Sequence, residues 1–524
     1  MKHLLFLSFL LVGFGLTSHS QTGDAWKYAQ TITEKGLKDQ LSVIASAQMQ
    51  GRETGTEGQR RAALYIKMQF EKIGLKAPAA LDGYQQNYPL FRDSLLRQEF
   101  HINKNVLKVE QDFLLIPGSA ISETVKSNQL VFAGYGIDDA NYSDYKNRNV
   151  KGKVVIVMNG EPKNGNTYLV SGTEKSSVWF YSTNRKLAAA QKHGAIAVIF
   201  VDPEMTSIPQ RIVNMANSNR LYFPRPDAQR VSMVYLSAPK LSDLIGEADA
   251  EKVLGLTKNK SAMDKLNITS KKDMEIAFSK KRYTIYASNI IGYIEGSDKK
   301  DEYVFLTAHY DHLGMHNGQI YYGADDDGSG TTAVIEMAQA FKKAKDDGHG
   351  PRRTIVFMTV SGEEKGLWGS EYYSEHPVFP IDKTTVDLNT DMIGRLDPNR
   401  KYGDSTNYVY LIGNDKLSSD LDPISKEVNN KYTHLELDYK YNDPADPERI
   451  YYRSDHYNFA RKGVPILFYF DGIHADYHKP SDTVDKINFD VMQKRTQYIF
   501  LTAWDIANRD EMLRRDIPLP EMTR

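Results

Sequence analysis

Apolar residues recur along the chain in two rhythms, and the change from one to the other divides it. From Ile32 to Leu75 they fall at three- and four-residue steps: Leu37, Leu41 and Ile44, then Ala62, Tyr65, Ile66 and Phe70. That period predicts two amphipathic helices. Between them lies the turn "QGRETGTEGQ", whose Gly51, Gly55 and Gly58 suit tight backbone geometry. From about Phe113 short β-like runs take over: "QLVFAGYGI", "GKVVIVMNG" and "AIAVIFV". "KLAAAQKHGAIAVIFV" (Lys186 to Val201) reads as a helix leading into a buried strand, and up to Lys272 His and acidic residues are seldom clustered. This stretch predicts a separate module without a catalytic constellation. From Ala287 four apolar strands stand out, "EYVFLTA", "RTIVFMTV", "TTVDLNT" and "VPILFYF", with helical stretches such as "GTTAVIEMAQAFKKA" between them. Continuous apolar strands alternating with helices predict an α/β fold whose mostly parallel sheet is covered by helices on both faces.

Composition narrows the chemistry. The 524 residues are 41% hydrophobic and 25% charged, a globular balance with room for two to four domains. A net charge of -1 and a pI near 6.9 leave no basic footprint for nucleic acid. With no cysteine there is no disulfide and no thiolate nucleophile, so a metal site must draw on His, Asp and Glu. The amino terminus, "MKHLLFLSFLLVGFGLTSHSQ", has a positive start, a short apolar run and small residues before Gln21. It reads as a secretory signal over residues 1–20, and the mature protein is expected to be exported, to the periplasm or the medium. No later run approaches the ~20 apolar residues of a membrane span.

In a sheet of this kind ligands bind at the carboxyl ends of the strands, so the residues that follow each strand matter. His309, Tyr310, Asp311 and His312 follow the first strand, and Glu363 and Glu364 the second. Asp391 follows the third; Asp471, His474 and "DYHKPSDT" with His478 follow the fourth. The acidic run "GADDDGSG" (Gly323 to Gly330) precedes the helix after the first strand. Four strands that all end in ligands of the sort zinc accepts point to a metal site. His309, Asp325, Glu364, Asp391 and His478 supply two imidazoles and three carboxylates. One zinc with a water would leave two of these surplus, whereas two zinc ions sharing one carboxylate use all five. Nearby dications also make adjacent carboxylates tolerable. Glu364 then serves as a ligand, and Glu363 is placed to act as general base.

The motifs "AHYDH", "GADDDGSG", "GEEKGLWGS", "NTDMIG" and "YHKPSDT", in this order, resemble those of the co-catalytic dizinc exopeptidases, which include bacterial leucyl aminopeptidases and glutamate carboxypeptidase II. "GRETGTEGQRRAALYI" resembles that family's amino-terminal segment, and the middle module an inserted β-rich protease-associated domain. The resemblance implies an amino-terminal part of the peptidase domain at 21–110, the insert at 111–279 and the catalytic domain at 280–524. It implies His309 and Asp391 on one zinc, Glu364 and His478 on the other, and Asp325 as the bridge, with Asp326 and His474 the competing choices. It makes Glu363 the general base, Asp311 the residue orienting His309, and Tyr477 a stabiliser of the oxyanion. Ser454, Asp455 and His456 match a pocket element without a role. The expected activity is that of an aminopeptidase on peptide substrates. A glutamate carboxypeptidase-like enzyme needs an arginine cluster, for which only Arg395 and Arg453 are at hand. A glutaminyl-cyclase-like enzyme would use a single zinc, and a non-catalytic binding protein of the same fold would have lost ligands.

Overall fold

The computed structural model describes residues 22–217, 220–225 and 230–520. The expected signal at 1–20 lies outside them. Among the described residues no helix is long and apolar enough to cross a membrane. The chain forms two compact units, one made of the segments up to Tyr88 and from Tyr286 onward, the other of Pro89–Ile285.

In the first unit both predicted amino-terminal helices form. α1 (Glu34–Ile44) buries Leu37, Leu41 and Ile44, and Thr33 caps it by accepting from the Gly36 N–H. α2 (Glu57–Ile73) starts at Thr56, which accepts from the Gln59 N–H, and stops at Gly74, whose left-handed φ of 82° suits a residue without Cβ. The sheet holds β1 (Met274–Ile294), of which the part from Tyr286 belongs here, β2 (Lys299–His309), β3 (Arg353–Val360), β4 (Thr384–Thr390), β5 (Tyr408–Ile412), β6 (Glu436–Asp438) and β7 (Ile466–Phe470). Their order is β1-β3-β2-β4-β7-β5-β6. The strands β3, β2, β4 and β7 run parallel to one another, while β1 and β5 flank them antiparallel.

Every residue of β3, β4 and β7 is buried, which explains the long apolar runs of β3 and β7; in β4 the polar Asp387 and Asn389 are buried too, and both accept from the Thr307 hydroxyl. Along β2, Val304 and Leu306 join one core with α1, α2 and two further helices, α3 (Gly330–Asp346) and α4 (Phe489–Asn508). Phe305 joins the core of the opposite face, with Tyr373 and Phe459 from short helices. The sheet is thus covered on both sides, as the sequence predicts.

In the second unit the runs noted in the sequence become strands of a six-stranded sheet: Leu130–Phe132, Val154–Met158 and Ala197–Val201 are adjacent and parallel. The helix Thr183–Lys192 precedes the last of these. This unit runs from Pro89 to Ile285, starting ahead of residue 111 and ending after 279, and Met274–Ser279 pairs with Ser122–Ser127 inside it.

The turn between α1 and α2 carries more than its glycines suggested. Arg52 is fully buried, and its guanidinium donates to the carbonyls of Ile44, Tyr310, Tyr322 and Gly323 at 2.7–2.9 Å. It clamps the end of β2 to the loop that carries the acidic run. Removing it takes the guanidinium donor from four carbonyls, of which Gly323 keeps the Gly328 N–H, so Arg52→Met is expected to cost about 3 kcal/mol, read as a lowered urea midpoint.

Candidate metal centre

The acidic ends of the sheet converge. His309 closes β2, fully buried, and its Nδ1 lies 3.1 Å from the Asp311 carbonyl. A carbonyl only accepts, so Nδ1 carries the proton and the Nε2 lone pair points the other way. There it meets carboxylates, Asp326 Oδ1 at 3.3 Å, Asp391 Oδ1 at 3.6 Å and Glu363 Oε2 at 4.0 Å. Burial alone would lower the imidazole's pKa, but the charges of Asp391 and Glu363 and the contacts to Asp311 and Asp326 drive it well above the usual value. Such a nitrogen, facing carboxylates without a donor between, calls for a proton or a cation.

A second group lies on the far oxygen of Asp326. His478 Nε2 is 3.2 Å from Asp326 Oδ2 and 3.1 Å from Glu364 Oε2. His312, fully buried, places Nδ1 2.8 Å from Glu364 Oε1 and 3.7 Å from Asp326 Oδ2. Asp326 therefore spans the two groups, one oxygen toward each. Burial opposes its ionisation, yet the imidazoles of His309, His312 and His478 hold its carboxyl well below the usual range.

This corrects the sequence assignment of the shared carboxylate. Asp325 turns away: Oδ1 accepts from the Gly394 N–H at 2.7 Å, and Oδ2 lies 3.3 Å from His474 Nε2. The Asp476 N–H donates to His474 Nδ1, so Nε2 is the protonated nitrogen, and it faces Asp325 Oδ2 as an ion pair. His474 is thereby set apart from His478. Asp327, the third acid, also reaches toward His309 and Asp391, but its oxygens accept from the backbone N–H groups of His309, Gly330 and Met392. It is a scaffold acid, and burial first, then the Asp391 charge, pushes its pKa well up.

The residues around the ligands hold them in place. The Asp311 carboxylate, 3.7 Å from His309 Nδ1, accepts from the Thr54 hydroxyl at 2.6 Å and from the Glu363 N–H at 3.2 Å. It thus orients His309 through its own carbonyl and fixes the backbone of Glu363 through its side chain. Asp482, which the sequence reading passed over inside "YHKPSDT", accepts from the N–H groups of Asp325 and Asp326 at 3.0–3.2 Å and so pins the acidic turn. Glu363 lines a small cavity shared with Asp326, Asp391 and Tyr477. Burial, ahead of the neighbouring charges, pushes its carboxyl well above the ordinary range. The Tyr477 ring stacks on His478 at 3.9 Å, and its hydroxyl accepts from Arg453 at 3.1 Å.

Ser454, Asp455 and His456 are buried. Ser454 accepts from Asn389, Asp455 accepts from Ser370, and His456 binds the Tyr451 carbonyl and stacks on Phe468. Burial drops the His456 pKa to about 3, which makes it a neutral core histidine.

The donor set fits divalent cations of the zinc type. His309 Nε2, Asp326 Oδ2, Glu364 Oε1 and both ring nitrogens of His312 are buried and make no well-aligned hydrogen bond, even where an opposite charge stands 2.8–3.3 Å away. Buried charges left so are costly unless paired or coordinating a metal, and imidazole with carboxylate is a donor combination zinc takes. Among the described residues, both groups of metal-capable side chains lie in the unit that holds the large sheet.

Residues 289–503 match Peptidase family M28, and residues 125–241 match the PA domain. The sheet unit is an M28 peptidase domain interrupted by a PA domain. The chain is 28% identical over 215 residues to a probable leucine aminopeptidase of Arthroderma otae, covering 40% of this chain and 55% of that one. It is also 24% identical over 282 residues to Aminopeptidase YwaD of Bacillus subtilis, covering 52% and 55%. The chain thus spans about half the length of the curated relatives it matches. The fold is shared with an aminopeptidase from Aneurinibacillus sp. strain AM-1, at a TM-score of 0.51 and 17% identity over 95% of this chain and 100% of that one. The M28 match covers all five sequence motifs from Asn289 onward, and the PA match falls inside the compact unit Pro89–Ile285.

Proposed function

We propose that this protein is an exported aminopeptidase that holds two zinc ions and removes amino-terminal residues from peptides. The observation that carries the reading is the Asp326 carboxylate, which turns one oxygen toward His309, where Asp391 also faces the imidazole, and the other toward His478, where Glu364 does. Zinc bound in these two groups supplies Lewis acidity to the scissile carbonyl and acidifies the attacking water.

The side chains divide the remaining work. Glu363 lines the cavity with its carboxyl pKa raised, and a base of that kind takes the proton of the attacking water and returns it to the leaving amine. Tyr477 accepts from Arg453, so its own hydroxyl proton is left to donate to the oxyanion of the tetrahedral intermediate. The Asp311 carbonyl keeps the His309 proton on Nδ1, away from the ligand position. The carboxylates of Glu363 and Asp391 line the same cavity and suit the ammonium of an unblocked amino terminus. Export follows from the leader-like residues 1–20.

Two measurements test this. Elemental analysis of the purified protein should return two zinc ions per chain, and chelation should abolish activity that added zinc restores. A single ion in fully active protein would refute the paired site. Leucyl- and alanyl-p-nitroanilide should be cleaved and their N-acetyl forms left intact; turnover of the acetylated compounds would refute the aminopeptidase assignment.

A further inference from the structure

The cavity beside the ligands holds one residue the proposed chemistry does not require at that position for its charge. Its charged lining is three carboxylates, Asp326, Glu363 and Asp391, and one guanidinium, Arg453, with Met392, Ile450 and Phe470 among the apolar walls. The other arginine singled out in the sequence plays no part in it. Arg395 is largely buried, with Nη2 on Asp476 at 3.0 Å and Nη1 3.8 Å from Asp482. Arg453, by contrast, is 39% exposed in its side chain, and its charge is only loosely met, by Glu448 at 3.9 Å. Its Nη2 donates to the Tyr477 hydroxyl at 3.1 Å, and Tyr477 stacks directly on the candidate ligand His478. The guanidinium therefore stands two side chains from the reacting centre.

We infer that Arg453 receives a carboxylate of the substrate, so that the site prefers short peptides whose carboxylate lies close behind the scissile bond. This rests on the aminopeptidase reading. The lining suits a small zwitterion, with Glu363 and Asp391 on the side of the ammonium and the Arg453 guanidinium for the carboxylate. A planar guanidinium pairs with a carboxylate through two parallel hydrogen bonds, which gives direction as well as attraction. A partly desolvated site of this kind discriminates against a substrate that leaves the cation unpaired. The carboxylate has two sources, the carboxy terminus of a dipeptide or an acidic side chain at the residue after the scissile bond.

The experiment compares Leu-Gly, Leu-Gly-amide and Leu-Asp-amide as substrates of the zinc-loaded full chain and of Arg453→Met and Arg453→Lys. The wild type should favour Leu-Gly over Leu-Gly-amide on the order of 10- to 100-fold in kcat/KM, mostly through KM. Arg453→Met should bring the two substrates together, and Arg453→Lys should fall between. A preference for Leu-Asp-amide over Leu-Gly-amide, lost in Arg453→Met, assigns the carboxylate to the side chain and equally supports the inference. A merely structural role lowers all three substrates alike and leaves their ratios unchanged, which would overturn it. Equal wild-type rates on the acid and both amides would do the same, even if Arg453→Met does not fold. Zinc-loaded protein that cleaves none of the three refutes the aminopeptidase reading and this inference with it.

Discussion

Glu363→Gln keeps its zinc and loses on the order of 10²–10⁴-fold in turnover, the range a positioned general base contributes. The split between metal and rate is the point of the prediction. Glu363 lines the cavity, lies 4.0 Å from His309 Nε2, and its backbone is fixed by Asp311 rather than by the groups that would hold metal. The isosteric amide preserves that contact while removing the proton acceptor. Glu364→Gln should behave differently, because both its oxygens face imidazoles, His312 at 2.8 Å and His478 at 3.1 Å. Zinc content and kcat measured side by side decide the matter. Equal zinc loss in both variants would remove the division between base and ligand.

Asp326→Asn should have the largest effect on metal of any single change, lowering occupancy of both groups together, because its two oxygens serve both. Asp325→Asn is the matched control. Its carboxylate is engaged by the Gly394 N–H and His474, so the substitution should leave zinc near two per chain and cost stability instead, about 1–3 kcal/mol for a disturbed buried acceptor. The pair is read by zinc analysis after equilibration against a weak chelator, with thermal unfolding alongside. Loss of zinc from Asp325→Asn with retention in Asp326→Asn would restore the assignment made from the motif alone.

The chain's linear order already determines a good deal about this protein. Strands such as "RTIVFMTV" and "VPILFYF" carry apolar residues on consecutive positions, and only a sheet covered on both faces buries both sets of side chains. Knowing that, the strand ends mark where ligands gather, and His309, Glu363, Glu364, Asp391 and His478 are found together there. The helical period likewise foretold α1 and α2, since burial of every third or fourth residue is a local property.

What tertiary structure alone decided concerns direction. In "ADDDG" three like residues stand side by side, and successive side chains leave the backbone in different directions. Which acid faces the imidazoles is set by Asp482, more than 150 residues away, which grips the N–H groups of Asp325 and Asp326, and by the Gly394 N–H that claims Asp325. The same holds for Asp327, whose oxygens are taken by backbone donors from three different segments. Arg52 has no signal in the sequence beyond a glycine-rich setting, because its four partners are carbonyls, which every residue carries. Motif order names the chemistry a chain can perform. Which of two neighbouring carboxylates performs it depends on hydrogen bonds between segments far apart in sequence, and those exist only once the chain has folded.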